Sequence, residues 1–162
     1  MRLLRGLRAI AIAAVLASTN APADGVTVPL AADLKTDATR AANGGLPMLL
    51  VVTREDCGYC ARLKRTVLVP MLLSGEYETR VIIRELNIDA QTPLVDFDGG
   101  SVTPLGLAGR YDALFTPTVL LVGPQGQELH DRLLGINNDE MYLFYLDKAI
   151  DFAAERLGRR EH

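Results

Sequence analysis

The sequence predicts an α/β protein, a three-layer sandwich around a mixed central β-sheet. Three observations predict it. Two short apolar runs, "MLLVVT" and "RVIIRELNI", are separated by a helix-compatible segment, so the strands they form should be parallel. A later run, "FTPTVLLVG", is followed by the turn "GPQGQ" and by "ELHDRLLG", the pattern of an antiparallel hairpin. The chain then closes with an amphipathic helix long enough to cover one face of such a sheet.

Taken in order, "PLAADLKTDATRAA" from Pro29 to Ala42 is helix-compatible, with Leu30, Leu34, Ala38 and Ala41 along one face. Asn43-Gly44-Gly45 stops it. Met48–Thr53 is a continuous apolar run and reads as a buried strand. The helix "ARLKRTVLVPMLLS" follows, with Pro70 expected to kink or divide it and Ser74-Gly75 to end it. Arg80–Ile88 is rich in β-branched residues and reads as the second strand. From Asp89 to Ser101 the chain is predicted irregular, because Pro93, Asp96, Asp98, Gly99 and Gly100 all discourage regular structure. A loop of that length either lines a partner-binding surface or is a tolerated insertion. Thr103–Asp112 reads as a short helix with Pro104 in its first turn. The next strand begins at Pro117. In the last helix, Asn138 to Leu157, the predicted buried stripe is Leu143, Leu146, Ile150, Ala153 and Leu157, with Asp147, Asp151 and Glu155 on the solvated side.

The 162 residues suit one domain with a real core, preceded by a segment of different character. Arg2, Arg5 and Arg8 form a basic head, Ala9–Ala17 is apolar, and Ala21-Pro22-Ala23 gives an A-x-A site. This is the pattern of a signal peptide over residues 1–23, cleaved after Ala23, with the domain occupying 24–162. The alternative is a short uncleaved anchor, although nine apolar residues fall well below the ~20 that span a bilayer. Cleavage removes three of the 17 basic residues and none of the 20 acidic ones, leaving a net charge of −6. An acidic domain without a basic patch excludes nucleic acid as a partner. Export places the domain in the periplasm, where cysteines can stay oxidised.

Both cysteines lie in "VVTREDCGYCARLKR", as Cys57 and Cys60. A staple across two residues closes almost no loop, so structure alone gives little reason for the pair. Their position does. Cys57 falls where a buried strand gives way to a helix, and unpaired N–H groups with the positive end of the helix dipole favour a thiolate there. Cys60, one turn on, can reach the same sulfur, which suits dithiol–disulfide exchange: Cys57 attacks and Cys60 resolves. A closed zinc site needs four ligands, and only His130 and His162 could join the cysteines; no metal is expected. Ala61 after the second cysteine excludes covalent haem attachment, and the exchange chemistry needs no cofactor. An inert surface disulfide stays open at this point.

Strand, C-x-x-C and helix, then Thr116-Pro117-Thr118 leading into a hairpin and a terminal helix, resemble the thioredoxin superfamily from about Leu30 to Leu157. The resemblance implies that Pro117 is a cis-proline beside the sulfurs. It also implies that Thr116 and Pro117, with Gly58 and Tyr59 between the cysteines, contact an extended substrate segment. The chain departs from cytosolic thioredoxins in carrying Asp56 where they have tryptophan and Gly58-Tyr59 where they have Gly-Pro. It carries Val51 where they bury an aspartate, so proton transfer is left to water or to Glu55 and Asp56. Gly-Tyr is similar to bacterial periplasmic disulfide isomerases, while the layout is similar to single-domain exported thioredoxins of the sulfur-oxidation and cytochrome-maturation type. The function implied is a monomeric periplasmic thiol–disulfide oxidoreductase acting on protein disulfides or thiols. A reductase fed by a membrane electron donor is expected, with an oxidase, an isomerase or a non-catalytic binding module as alternatives. Arg62, Lys64 and Arg65 are expected to form a solvated basic face. His130 is expected to be exposed, and Tyr142, Phe144 and Tyr145 to be packing residues.

Overall fold

The computed structural model describes residues 25–158; the signal segment expected over 1–23 and the terminal His162 lie outside them. Strand β1 (Met48–Thr53) is buried at all six positions and is the centre of the architecture. It pairs parallel with β2 (Ile82–Asn87), with Leu50 opposite Arg84 and Val51 opposite Glu85. On its other side β5 (Thr118–Val122) runs antiparallel, and β6 (Leu133–Leu134) pairs antiparallel with β5. The sheet order is β2-β1-β5-β6, a mixed sheet as the sequence predicts.

Because side chains alternate along a strand, β1 divides its residues between two cores. Leu49 and Val51 join Ile83, Val119 and Leu121 on one face, beneath the helix that follows β1 and the terminal helix α5 (Asp139–Gly158). Met48, Leu50 and Val52 join Ile82, Leu86, Leu120 and Val122 on the other. That second face is covered by α1 (Leu34–Gly44) and α4 (Pro104–Arg110). Each fully buried leucine contributes roughly 1.5–3 kcal/mol by leaving water.

Helix α1 starts at Leu34, later than the Pro29 the sequence suggests. Asp33 caps it by accepting the Thr36 N–H at 2.9 Å, and that hydrogen bond holds the carboxyl below its ordinary pKa. The chain before it is extended, with Ala31 N–H donating to Glu85 O and Glu85 N–H to Pro29 O, both at 2.8 Å. Residues 29–31 thus line the β2 edge. Gly45, at φ 62°, ends α1 in the left-handed conformation that glycine adopts without penalty.

The helix after β1 is divided, as Pro70 requires. It runs as α2 (Gly58–Leu63), a π turn at Lys64–Leu68, and α3 (Val69–Ser74). Pro70 lacks an N–H and its ring would crowd the carbonyl four residues back. The chain answers by widening the turn just before it, with Val69 N–H donating to Lys64 O.

The stretch predicted irregular is ordered in part. It holds a small hairpin of β3 (Leu94–Val95) and β4 (Ser101–Val102), anchored by buried Leu94 and by Val95 N–H donating to Ala32 O at 2.9 Å. The predicted strand Glu128–Gly135 shrinks to β6, with one further bridge between Glu128 and Val122.

In α5 the buried residues are Leu146, Ala149, Ile150 and Ala153, with Tyr142 and Leu157 partly buried against the same core. Leu143 is 36% exposed, which corrects the predicted stripe. The stripe enters the helix through Tyr142, one position and therefore about 100° away from Leu143. Burial raises the Tyr142 hydroxyl well above its ordinary pKa. Phe144 and Tyr145, expected to pack, are more than half exposed for the same reason. Asp147 and Asp151 are not idle on the solvated side, for each accepts a hydrogen bond from Arg80 at 2.7 Å. His130 is half-buried, its ring meeting Phe152 edge to face at 5.4 Å. Among the described residues no helix is long and apolar enough to cross a membrane.

Candidate active site

The turn "RED", Arg54 to Asp56, carries the chain from β1 into α2 and is exposed throughout. Asp89, 34 residues further on, pins it by accepting the Glu55 N–H at 2.9 Å. Cys57 is then the N-cap of α2 in an extended conformation, where its sulfur accepts the Cys60 N–H at 3.1 Å. A capping position of this kind presents the free N–H groups of the first turn to the sulfur.

Cys57 and Cys60 are joined by a disulfide with Cα atoms 5.2 Å apart. The two sulfurs are not equivalent. Cys57 is partly exposed, while Cys60 is 1% exposed and packs inward with Leu63. A partner arriving from solvent therefore meets Cys57 first. Between them Gly58 is exposed and would accommodate a Cβ without contact, so its smallness keeps the approach open and fills no packing need. Tyr59 is 62% exposed.

Antiparallel pairing of β1 with β5 sets Val52 opposite Thr118, so the start of β5 lies at the sheet end from which the cysteine turn departs. There the Thr116–Pro117 peptide bond is cis, Pro117 is buried and Thr116 half-buried. Pro117 O accepts the Gly135 N–H at 2.8 Å, which ties the β6 end to the same region. Leu114, Phe115 and Leu134 are exposed around it, an apolar rim beside the cis bond. Topology thus gathers Cys57, Cys60, Gly58, Tyr59, Thr116 and Pro117 at one end of the sheet.

The basic residues after Cys60 do not form the solvated face expected of them. Arg62 lies 3.0 Å from the carboxylate of Asp139 at the start of α5. Lys64 turns inward, its ammonium 2.7 Å from Glu85. Arg65 alone of the three is exposed. Glu55 and Asp56, which the sequence offers beside water for proton transfer, are both exposed.

Glu85 is the residue that sequence reasoning missed. It is 7% exposed and its Oε1 accepts from both Thr53 Oγ1 and Lys64 Nζ at 2.7 Å. Within "RVIIRELNI" it looks like an ordinary polar position of a strand. The only signal available was that its side chain alternates onto the same face as the second strand's Ile83. Among the described residues no group of three or more His, Cys, Asp or Glu side chains is placed to hold a metal ion.

Comparison with known proteins agrees with this geometry. The model of a thioredoxin-like domain matches residues 34–150. A solved structure titled DsbH oxidoreductase is 12% identical, covers 86% of this chain and 95% of its own, and superposes with a TM-score of 0.60. A thioredoxin-fold protein from Helicobacter pylori is 20% identical over 72% of this chain and 85% of its own, with a TM-score of 0.51. At these identities the likeness is one of fold. No curated protein matches the chain in sequence. The match of a family model to most of the chain, on a sheet whose central strand leads into the C-x-x-C disulfide at one end, establishes that the chain belongs to the thioredoxin-like domain family.

Proposed function

We propose that the protein is a periplasmic thiol–disulfide oxidoreductase working as a reductase of protein disulfides. The observation that carries this reading is the asymmetry of the disulfide: a partly exposed Cys57 at a helix start, backed by an enclosed Cys60. In the dithiol form the Cys57 thiolate attacks a substrate disulfide, forming a mixed disulfide and releasing one substrate sulfur as thiolate. Cys60 then attacks Cys57, the second substrate sulfur leaves, and the enzyme ends oxidised with the substrate reduced by two electrons. A membrane electron donor returns it to the dithiol. Gly58 and Tyr59 flank the approach, and the backbone at Thr116 and Pro117 aligns an extended substrate strand beside the sulfur. The domain acts as a monomer after removal of residues 1–23.

Replacing Cys60 with serine removes the resolving step and is expected to trap partners on Cys57 as mixed disulfides visible on non-reducing gels of a periplasmic extract. No trapped species would favour a binding module that merely keeps its cysteines oxidised. Direction of electron flow is read from the reduction potential against glutathione. A value near −270 mV, about that of thioredoxin, is expected of a reductase; one near −120 mV, about that of a strong oxidant, would overturn the reductase assignment.

A further inference from the structure

The two lips of the disulfide differ in chemistry. One is the turn from Arg54 to Asp56, exposed at all three positions and leading directly into Cys57. Cys57 N–H donates back to Glu55 O at 2.9 Å, so the turn is tight, and neighbouring Cα atoms stand only ~3.8 Å apart. Asp89, also exposed, brings its carboxylate to the same turn by accepting the Glu55 N–H at 2.9 Å. Three carboxylates, Glu55, Asp56 and Asp89, therefore border the entry to Cys57, against the one cation Arg54. The other lip, from Ala113 to Thr118, carries no charged residue and shows Leu114 and Phe115 to solvent.

The cations that could balance the acidic lip are held elsewhere. Arg62 lies 3.0 Å from Asp139 on α5, and Lys64 turns inward to Glu85 at 2.7 Å. Arg65 is exposed, but eight positions after Cys57 it stands ~12 Å along the helix at about 1.5 Å per residue. That is beyond the Debye length of about 8 Å at physiological salt. A partner sulfur must come to bonding distance of Cys57, so the groups flanking it enter the field of the acidic lip. Charges of this kind act chiefly on the encounter, raising the rate for one sign of partner and lowering it for the other.

We propose that the site selects disulfides by charge, with Glu55, Asp56 and Asp89 as its specificity residues. The substrate class is a cysteine flanked by lysine or arginine on one side and by apolar residues on the other. A disulfide with acidic flanks is repelled. This selection rests on the dithiol exchange proposed above and names the disulfides that exchange acts on.

Two small disulfides of similar size and opposite charge test it. Cystamine carries an ammonium after two methylenes from each sulfur, and 3,3′-dithiodipropionate carries a carboxylate there. Each oxidises the reduced protein in one balanced sequence: Cys57 attacks, one small thiolate leaves, Cys60 closes the protein disulfide and the second thiolate leaves. Acid-quenched, alkylated samples are counted by mass as dithiol or disulfide. The quantity read is the cationic-to-anionic ratio of rate constants, divided by the same ratio for mercaptoethanol, which cancels the intrinsic reactivity of the reagents. At low salt wild type is expected to favour cystamine about tenfold on this scale, and Glu55→Gln/Asp56→Asn to lose most of that preference. Asp89→Asn, whose amide oxygen can still accept the Glu55 N–H, is expected to lower it about twofold. For wild type in 1 M salt, where the Debye length is about 3 Å, the preference should also collapse. A ratio unchanged in the double variant, or a wild-type preference that salt does not weaken, overturns the selection and leaves the exchange reaction standing. If the double variant fails to reach the wild-type circular dichroism spectrum, the salt dependence and Asp89→Asn decide. Should neither reagent oxidise reduced wild type, the dithiol exchange itself falls and the selection with it.

Discussion

Cys57→Ser is expected to bring disulfide exchange down to the uncatalysed background, measured as thiol-dependent insulin reduction. Cys60 cannot take over, because its sulfur is 1% exposed and a bulky partner disulfide cannot reach it in line. The fold should survive the change. Serine is a good N-cap, and its Oγ can accept the Cys60 N–H that Cys57 Sγ accepts at 3.1 Å. The lost disulfide closes a loop of only a few residues, which the chain-entropy model values at about 2 kcal/mol. Activity and stability should therefore separate: background turnover with a cooperative unfolding transition that lies no more than about 2 kcal/mol below that of the oxidised wild type. Residual exchange above a tenth of wild type would place the nucleophile on Cys60.

Asp37→Ala is expected to give the largest loss of stability, about 3 kcal/mol, since it leaves the half-buried Arg84 without its carboxylate. The Asp37 side chain is 7% exposed and that of Arg84 18%, and two hydrogen bonds of 2.7 and 2.5 Å join α1 to β2 through them. Arg40 also approaches Asp37 at 3.4 Å, but its side chain is 63% exposed and contributes little. Against a typical total of about 5–15 kcal/mol, that loss is a large fraction. Urea unfolding measures it as a lower midpoint with an unchanged slope. The double variant Asp37→Ala/Arg84→Met should recover most of the loss, because apolar partners of similar size need no compensation. A single variant within 1 kcal/mol of wild type would show that the pair adds nothing to the packing around it. Arg84 pairs with α1 on the face of β2 away from the cysteine helix, so the exchange reaction should be unaffected.

These two residues show where the sequence was readable. Cys57 and Cys60 declared themselves through local signals: a β-rich run, a short polar turn, and a helix pattern that starts at the first sulfur. The strands β1, β2 and β5 and the placement of Pro117 were visible for similar reasons, being continuous apolar runs with clear punctuation. Asp37, Glu85 and Lys64 were not, because a charged residue on a helix or strand looks solvated until its partner is known. Those partners lie 47 and 21 residues away. Phe144 and Tyr145 failed in the opposite direction. Their spacing fits a packed face, but the core had already chosen Tyr142, and one residue of phase turned the others outward. The hairpin β3–β4 was hidden by its brevity, since two-residue strands held by backbone contacts to the segment just before α1 carry no periodicity to detect.

The π turn between α2 and α3 gives the helix two independent azimuths. A turn closed by Val69 N–H to Lys64 O holds one residue more than an α turn. Each residue advances an α-helix by about 100°, so the turn sets how the half bearing Cys60, Leu63 and Lys64 is rotated against the half that buries Met71. Losing one residue at Lys64–Leu68 would leave each half regular but rotate one against the other, withdrawing either the sulfur or the methionine from the sheet. The length of this segment is thus a geometric constant of the protein, fixed by rotation even where its side chains are free to vary.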